Sequence, residues 1–103
     1  MIIVTGDLVA SAASLEELRR ISLEHVHRSR AEPGCLHHSV QVDCENPLRL
    51  VFVELWADAV TLKQHFGVPA SREFSRAAAK LASAPPTLRI YEARETNARS
   101  ILT

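Results

Sequence analysis

The residues that could do chemistry crowd into one stretch, from Val53 to Phe74: Val-Glu-Leu-Trp-Ala-Asp-Ala-Val-Thr-Leu-Lys-Gln-His-Phe-Gly-Val-Pro-Ala-Ser-Arg-Glu-Phe. It carries Trp56, His65, Phe66 and Phe74, with Phe52 immediately before it. An imidazole titrates near ~6.5 and so accepts a proton at neutral pH without much tuning, which makes His65 the candidate general base. Trp56, Phe52, Phe66 and Phe74 supply flat apolar surface suited to the walls of a ring-binding pocket. His38 is the second imidazole candidate. Tyr91 and a nearby arginine, Arg72 or Arg89, are candidate donors to a developing oxyanion. Each of these residues also has a packing role available: a tryptophan at a strand end and phenylalanines on inner faces belong to an ordinary core.

The elements that must position these groups follow from periodicity. Leu50-Val51-Phe52-Val53 leads into Glu54-Leu55-Trp56 as a strand, which the pattern extends back to Arg49. Asp58 is a helix N-cap, and Leu62, His65 and Phe66 share one helical face. Gly67 and Pro69 stop that helix, and another begins near Ser71 and runs to about Ser83, with Phe74, Ala77, Ala78 and Leu81 inward. Residues 2–9 read as a strand apolar on both faces, so something must cover each face. Ser14-Leu15-Glu16-Glu17 is a capping-box sequence opening a helix to about Ala31, with Leu15, Leu18, Ser22, His25 and Val26 on its inner stripe. There His25 is expected to be a partly buried, hydrogen-bonded helix residue. Glu32-Pro33-Gly34 ends the helix. Cys35 to Val42 is the next strand, with Leu36, His38, Val40 and Val42 on one face. Asp43 to Pro47 is its hairpin turn. Leu88 to Ala93 is the last strand, followed by a polar tail to Ile101-Leu102.

The order β-α-β-β-α-β predicts an α+β, ferredoxin-like split fold with one antiparallel sheet and helices on one side. The reading is a single domain over residues 1–103, with a core at 1–93 and a tail at 94–103 that docks on a partner subunit. The uncovered sheet face predicts a homodimer, or a higher homo-oligomer, assembled face to face.

Composition narrows the function. Twelve basic and twelve acidic residues cancel, so no overall field argues for nucleic acid or an anionic membrane. Met1-Ile2-Ile3-Val4 lacks the basic start of a signal peptide, and no apolar run reaches the roughly 20 residues of a membrane span. Cys35 and Cys44 are the only cysteines. Two thiols without a secretory signal predict a cytoplasmic protein, and their spacing suggests no metal site.

Glu32-Pro33-Gly34-Cys35, Glu54-x-Trp56-Ala57-Asp58, and His65 with Pro69 resemble the antibiotic biosynthesis monooxygenase family, in that order and spacing, over Met1 to about Ala93. The resemblance implies a ferredoxin-like protomer, two of which pair into a dimeric α/β barrel. It also implies oxidation of a small aromatic quinol or anthrol by O2 as co-substrate, with no metal, flavin or haem. His65 and Trp56 match the family's His and Trp. Ala70 and Ser71 stand where many members have a second His and an aromatic. The haem-degrading branch of the superfamily uses an Asn, a Trp and a haem-ligating His, where this chain has Gly6, His65 and Ser75; haem degradation is disfavoured. Two alternatives from other classes stand beside the oxygenase. One is an isomerase-like enzyme of the same fold acting on a phosphorylated substrate, against which counts the lack of a clustered Arg/Lys group near the pocket in the sequence. The other is a non-catalytic small-ligand-binding dimer.

Overall fold

The computed structural model describes residues 1–103. Strand β1 (Ile2–Val9), helix α1 (Leu15–Ser29), strands β2 (Cys35–Asp43) and β3 (Asn46–Trp56), helices α2 (Ala59–Gly67) and α3 (Pro69–Leu81), strand β4 (Thr87–Glu92) and a short helix α4 (Ala98–Leu102) follow one another. The sheet is antiparallel throughout, in the order β2-β3-β1-β4, which is the ferredoxin-like arrangement. Helices α1, α2 and α3 cover one face. No helix is long and apolar enough to cross a membrane.

Local chemistry sets the boundaries. Asp58 caps α2 by accepting from the Thr61 backbone N–H at 2.9 Å, and Thr61 returns the bond through its hydroxyl, a capping box. Pro69 takes the first turn of α3, where its missing N–H costs nothing. The capping box expected at α1 does not form. Ser14 is in helical conformation with no side-chain cap, and its hydroxyl donates to the Leu81 carbonyl at 2.8 Å, tying the start of α1 to the end of α3. A tertiary acceptor has displaced the local one.

One sequence expectation about β2 is corrected by a bulge. Cys35 pairs with Trp56 and His37 with Leu55, so Leu36 is the extra residue. Leu36 is therefore not on the face of His38; it points to solvent, 60% exposed. Cys35 joins the helix-covered side instead, packed against Ile2, Val4, Trp56 and Leu62. From His38 onward the alternation holds, and His38 lies opposite Glu54.

The core falls into two apolar clusters with a polar layer between them. Leu50 and Phe52 of β3 and Leu8 of β1 belong to the first, together with Leu18 and Val26 of α1 and Ala78 of α3. Trp56 of β3, Ile2 and Val4 of β1, and Leu62 of α2 form the second. On the inner face of β3 the residue between Phe52 and Trp56 is Glu54, and on β1 the residue between Val4 and Leu8 is Gly6. The carboxylate and the missing side chain open the sheet at the level where the helices contribute imidazoles.

Strand β4 is exposed along its whole length, as is α4. Leu88, Ile90, Tyr91, Ile101 and Leu102 all stand largely in solvent. On the sheet face away from the helices, Ile3, Val51, Val53 and Leu55 are only partly covered.

Candidate functional site

Four elements deliver four titratable side chains to one buried point. Helix α1 brings His25, β2 His38, β3 Glu54 and α2 His65, all less than 9% exposed. Helical spacing explains two of them. His25 stands on the stripe of Leu18, Ser22 and Val26, and His65 is three residues after Leu62 on the buried side of α2. Strand pairing explains the others, because His38 and Glu54 are directly opposed on the same face.

The carboxylate organises the group. Glu54 Oε1 accepts from Trp56 Nε1 at 2.9 Å, stands 3.3 Å from His38 Nε2 and 3.9 Å from His65 Nε2. On the far side of His65, Nδ1 is 2.9 Å from Glu32 Oε1, just after α1. That contact fixes the ring's orientation, with Nδ1–H directed at the Glu32 carboxylate and Nε2 turned toward Glu54. The three imidazoles face one another, with ring centres 5.3 Å apart for His25–His38, 5.3 Å for His25–His65 and 5.7 Å for His38–His65. Neither His25 Nδ1 nor either nitrogen of His38 has a well-directed hydrogen-bond partner in the protein. The expectation of a hydrogen-bonded His25 is thus corrected: its ring instead stacks on Phe74 at 4.2 Å between centres, 8° from parallel.

Burial, with the neighbouring His38 and His65, depresses the His25 pKa to about 3, so its ring is neutral at physiological pH. Burial raises the pKa of Glu54, but His38, the Trp56 N–H and His65 outweigh it and hold the carboxyl below its usual range. Glu54 is therefore an anion under three polar contacts. Burial beside Glu32 and Glu54 pushes the Cys35 thiol up, away from reactivity.

A cavity of about 470 Å³ opens onto this group. His25, His65 and Glu54 line its inner end, and Phe52, Phe66, Phe74 and Leu88 its apolar walls. Gly6, Ser71, Ser75 and Thr87 border it, and Arg72 and Arg76 bring charge to it. Of the residues singled out from sequence, His65, Phe52, Phe66 and Phe74 are brought together here.

Three others are not on the wall. Trp56 is fully buried and lies behind His65, ring centres 4.6 Å apart, donating to Glu54. It supports the site from beneath, because the helix-covered end of β3 leaves its indole no open side. His38 is likewise beneath the cavity, 1% exposed and edge-on to Trp56. Tyr91 pairs with Ile3 on the opposite sheet face, and strand alternation carries Arg89 there with it. The arginines that do reach the cavity are Arg72 and Arg76, one turn apart on α3. This corrects the expectation that no basic residues cluster there, since an i, i+4 pair becomes a cluster only once α3 is set against the sheet. His25, Glu54 and Glu32 were also missed as site residues; Glu54, a carboxylate between apolar strand neighbours, was the legible signal.

The sequence and the fold match a known family. Residues 1–77 match the family model described as antibiotic biosynthesis monooxygenase. A solved structure from Deinococcus radiodurans, described as a candidate antibiotic biosynthesis monooxygenase, is 28% identical and superposes with a TM-score of 0.89, covering 94% of this chain and 96% of that one. Rv0793 of Mycobacterium tuberculosis shares the fold at 18% identity and a TM-score of 0.86, over 92% of this chain and 96% of that one. The Synechocystis protein sll1783 is 30% identical over 95 residues; the match takes in 92% of this chain and 65% of that longer protein. With three quarters of its length under the family model and the matching protomer fold, the chain belongs to the antibiotic biosynthesis monooxygenase family.

Proposed function

We propose that the protein is a monooxygenase that oxidises a small, flat, electron-rich aromatic of the quinol or anthrol class with O2. The observation that carries this reading is the His65–Glu32 pair set at the end of a cavity walled by Phe52, Phe66 and Phe74. A cavity of about 470 Å³ is in the size range for a small polycyclic ligand. The reading is that His65 Nε2 removes a proton from the bound substrate, with Glu32 steadying the imidazolium that forms. The electron-rich anion passes one electron to O2, and the radical pair recombines with a new C–O bond. Return of the proton and loss of water leave one oxygen atom in the product. The substrate supplies the electrons, so the transfer requires no prosthetic group. Arg72 or Arg76, at the cavity, would balance the anion.

The test is oxygen uptake by chelator-treated protein with a panel of quinols and anthrols, wild type beside His65→Ala. Saturable uptake that falls about 10²-fold or more in the variant is expected. Uptake no faster than buffer, or equal in the two proteins, overturns the reading.

A second reading, an isomerase-type enzyme acting on a phosphate-bearing substrate, draws support from Arg72 and Arg76 at the same cavity. Inorganic phosphate or a sugar phosphate protecting the wild type against thermal unfolding, but not the doubly substituted Arg72→Ala/Arg76→Ala protein, would favour it.

A further inference from the structure

Proton abstraction by His65 uses one imidazole of three, and leaves His25 and His38 without a task. We infer that His25, His38 and His65, with Glu54, form a binding site for a divalent transition-metal ion of the zinc type. One ring nitrogen from each histidine lies within 4.8 Å of the other two, and all three residues are buried. Zinc–nitrogen bonds of ~2.0–2.1 Å place tetrahedral ligands roughly 3.4 Å apart, so small ring rotations bring these nitrogens to bonding distance. Glu54 Oε1, 3.3 Å from His38 Nε2 and 3.9 Å from His65 Nε2, stands beside two of the three rings and is the nearest carboxylate to supply a fourth ligand. Three imidazoles and a carboxylate are a borderline donor set, suited to Zn2+ and its neighbours and unsuited to Mg2+ or Ca2+.

The surrounding contacts are those of a ligand set. His65 turns Nδ1 to Glu32 at 2.9 Å, which leaves Nε2 with its lone pair inward. Glu54 is oriented by the Trp56 N–H at 2.9 Å. Buried polar atoms are costly unless paired; His25 Nδ1 and His38 Nδ1 have no hydrogen-bond partner in the protein, and His38 Nε2 has only the poorly directed 3.3 Å contact with Glu54. An ion bound among them would satisfy one nitrogen of each ring. The cavity gives it a way in, since His25, His65 and Glu54 all border it. A metal on His65 Nε2 would also occupy the lone pair assigned above to proton removal, so occupancy would switch off the proposed oxygenation; that consequence alone rests on the oxygenase reading.

The experiment uses chelator-treated full-length protein titrated with Co2+, and needs no turnover. Ligand-field bands of a four-coordinate ion are expected to saturate at one equivalent per chain and to be displaced by Zn2+. In the NMR spectrum of the wild type, Zn2+ should move the imidazole signals of His25, His38 and His65 and leave those of His27 and His37 in place. Glu32→Gln should weaken binding about 10-fold, His25→Ala and His38→Ala at least as much, and His27→Ala not at all. No saturable bands, signals shifting at His27 or His37 instead, or unaltered affinity in His25→Ala and His38→Ala would overturn the site. Should a cluster variant fail to fold by circular dichroism, the wild-type spectra and Glu32→Gln decide.

Discussion

Glu32 Oε1 and His65 Nδ1 meet at 2.9 Å across 33 residues of sequence, joining the turn just after α1 to the last turn of α2. The contact sets which nitrogen of His65 is free. Removing it with Glu32→Ala should lower the oxygen uptake proposed above about 10-fold, a part of the general-base contribution. Glu32→Gln, whose amide oxygen can still accept from Nδ1–H but carries no charge to steady the imidazolium, should recover part of it. Equal loss in both variants would mean that the negative charge, not the orientation, is what His65 needs.

Gly34 holds α2 close to the sheet. Its φ is 77°, and a Cβ there would lie 2.4 Å from Thr61 Cγ2 in the capping box of α2. Gly34→Ala combines a left-handed conformation, which costs an ordinary residue about 1–2 kcal/mol, with that clash. The loss of stability should exceed the backbone cost alone. Urea unfolding measures it, and a change under ~1 kcal/mol would show that Thr61 and α2 give way freely.

Asp7 predicts an acid-sensitive contact between β1 and its neighbours. The Thr87 hydroxyl, opposed by burial and helped by Arg49, holds its carboxyl below 3.8. Arg49 also reaches Asp43 at 3.0 Å. A carboxylate depressed in the folded chain binds fewer protons than in the unfolded one. Its stabilisation is therefore complete above 3.8 and fades as pH falls through the folded value. Asp7→Asn should flatten this limb of the stability curve without altering stability at pH 7 as strongly as a core substitution. An unchanged acid limb would remove Asp7 from the account.

The assembly is predicted to be a homodimer. Ile3, Val51, Val53 and Leu55 form a half-covered apolar sheet face on which Tyr91 is exposed; Leu88 and Ile90 of the edge strand are exposed on its other side, and Ile101 and Leu102 on α4. Apolar surface on this scale is an association surface. Sedimentation at micromolar concentration should show a dimer, and Val53→Lys, which sets a cation on that face, should shift it toward monomer. A stable wild-type monomer would refute the assembly.

Much of this molecule was legible from residue order alone. Strand alternation and helical spacing carry their own periods, so the split β-α-β-β-α-β order, the Asp58 cap and the inward set of Leu62, His65 and Phe74 could be read without a structure. So could the family, through Glu32-Pro33-Gly34-Cys35, Glu54-x-Trp56 and His65. Tertiary structure decided what the periods leave open. The bulge at Leu36 reset one end of β2, because a single extra residue reverses which face each side chain takes. Ser14 left its local cap for Leu81, and Tyr91 fell on the face away from the cavity. Above all, His25, His38, Glu54 and His65 stand on four elements, and nothing in their spacing along the chain encodes that they meet. Their convergence depends on the crossing of α1 and α2 over the sheet, a long-range packing outcome in which the two apolar clusters close around the polar residues between them.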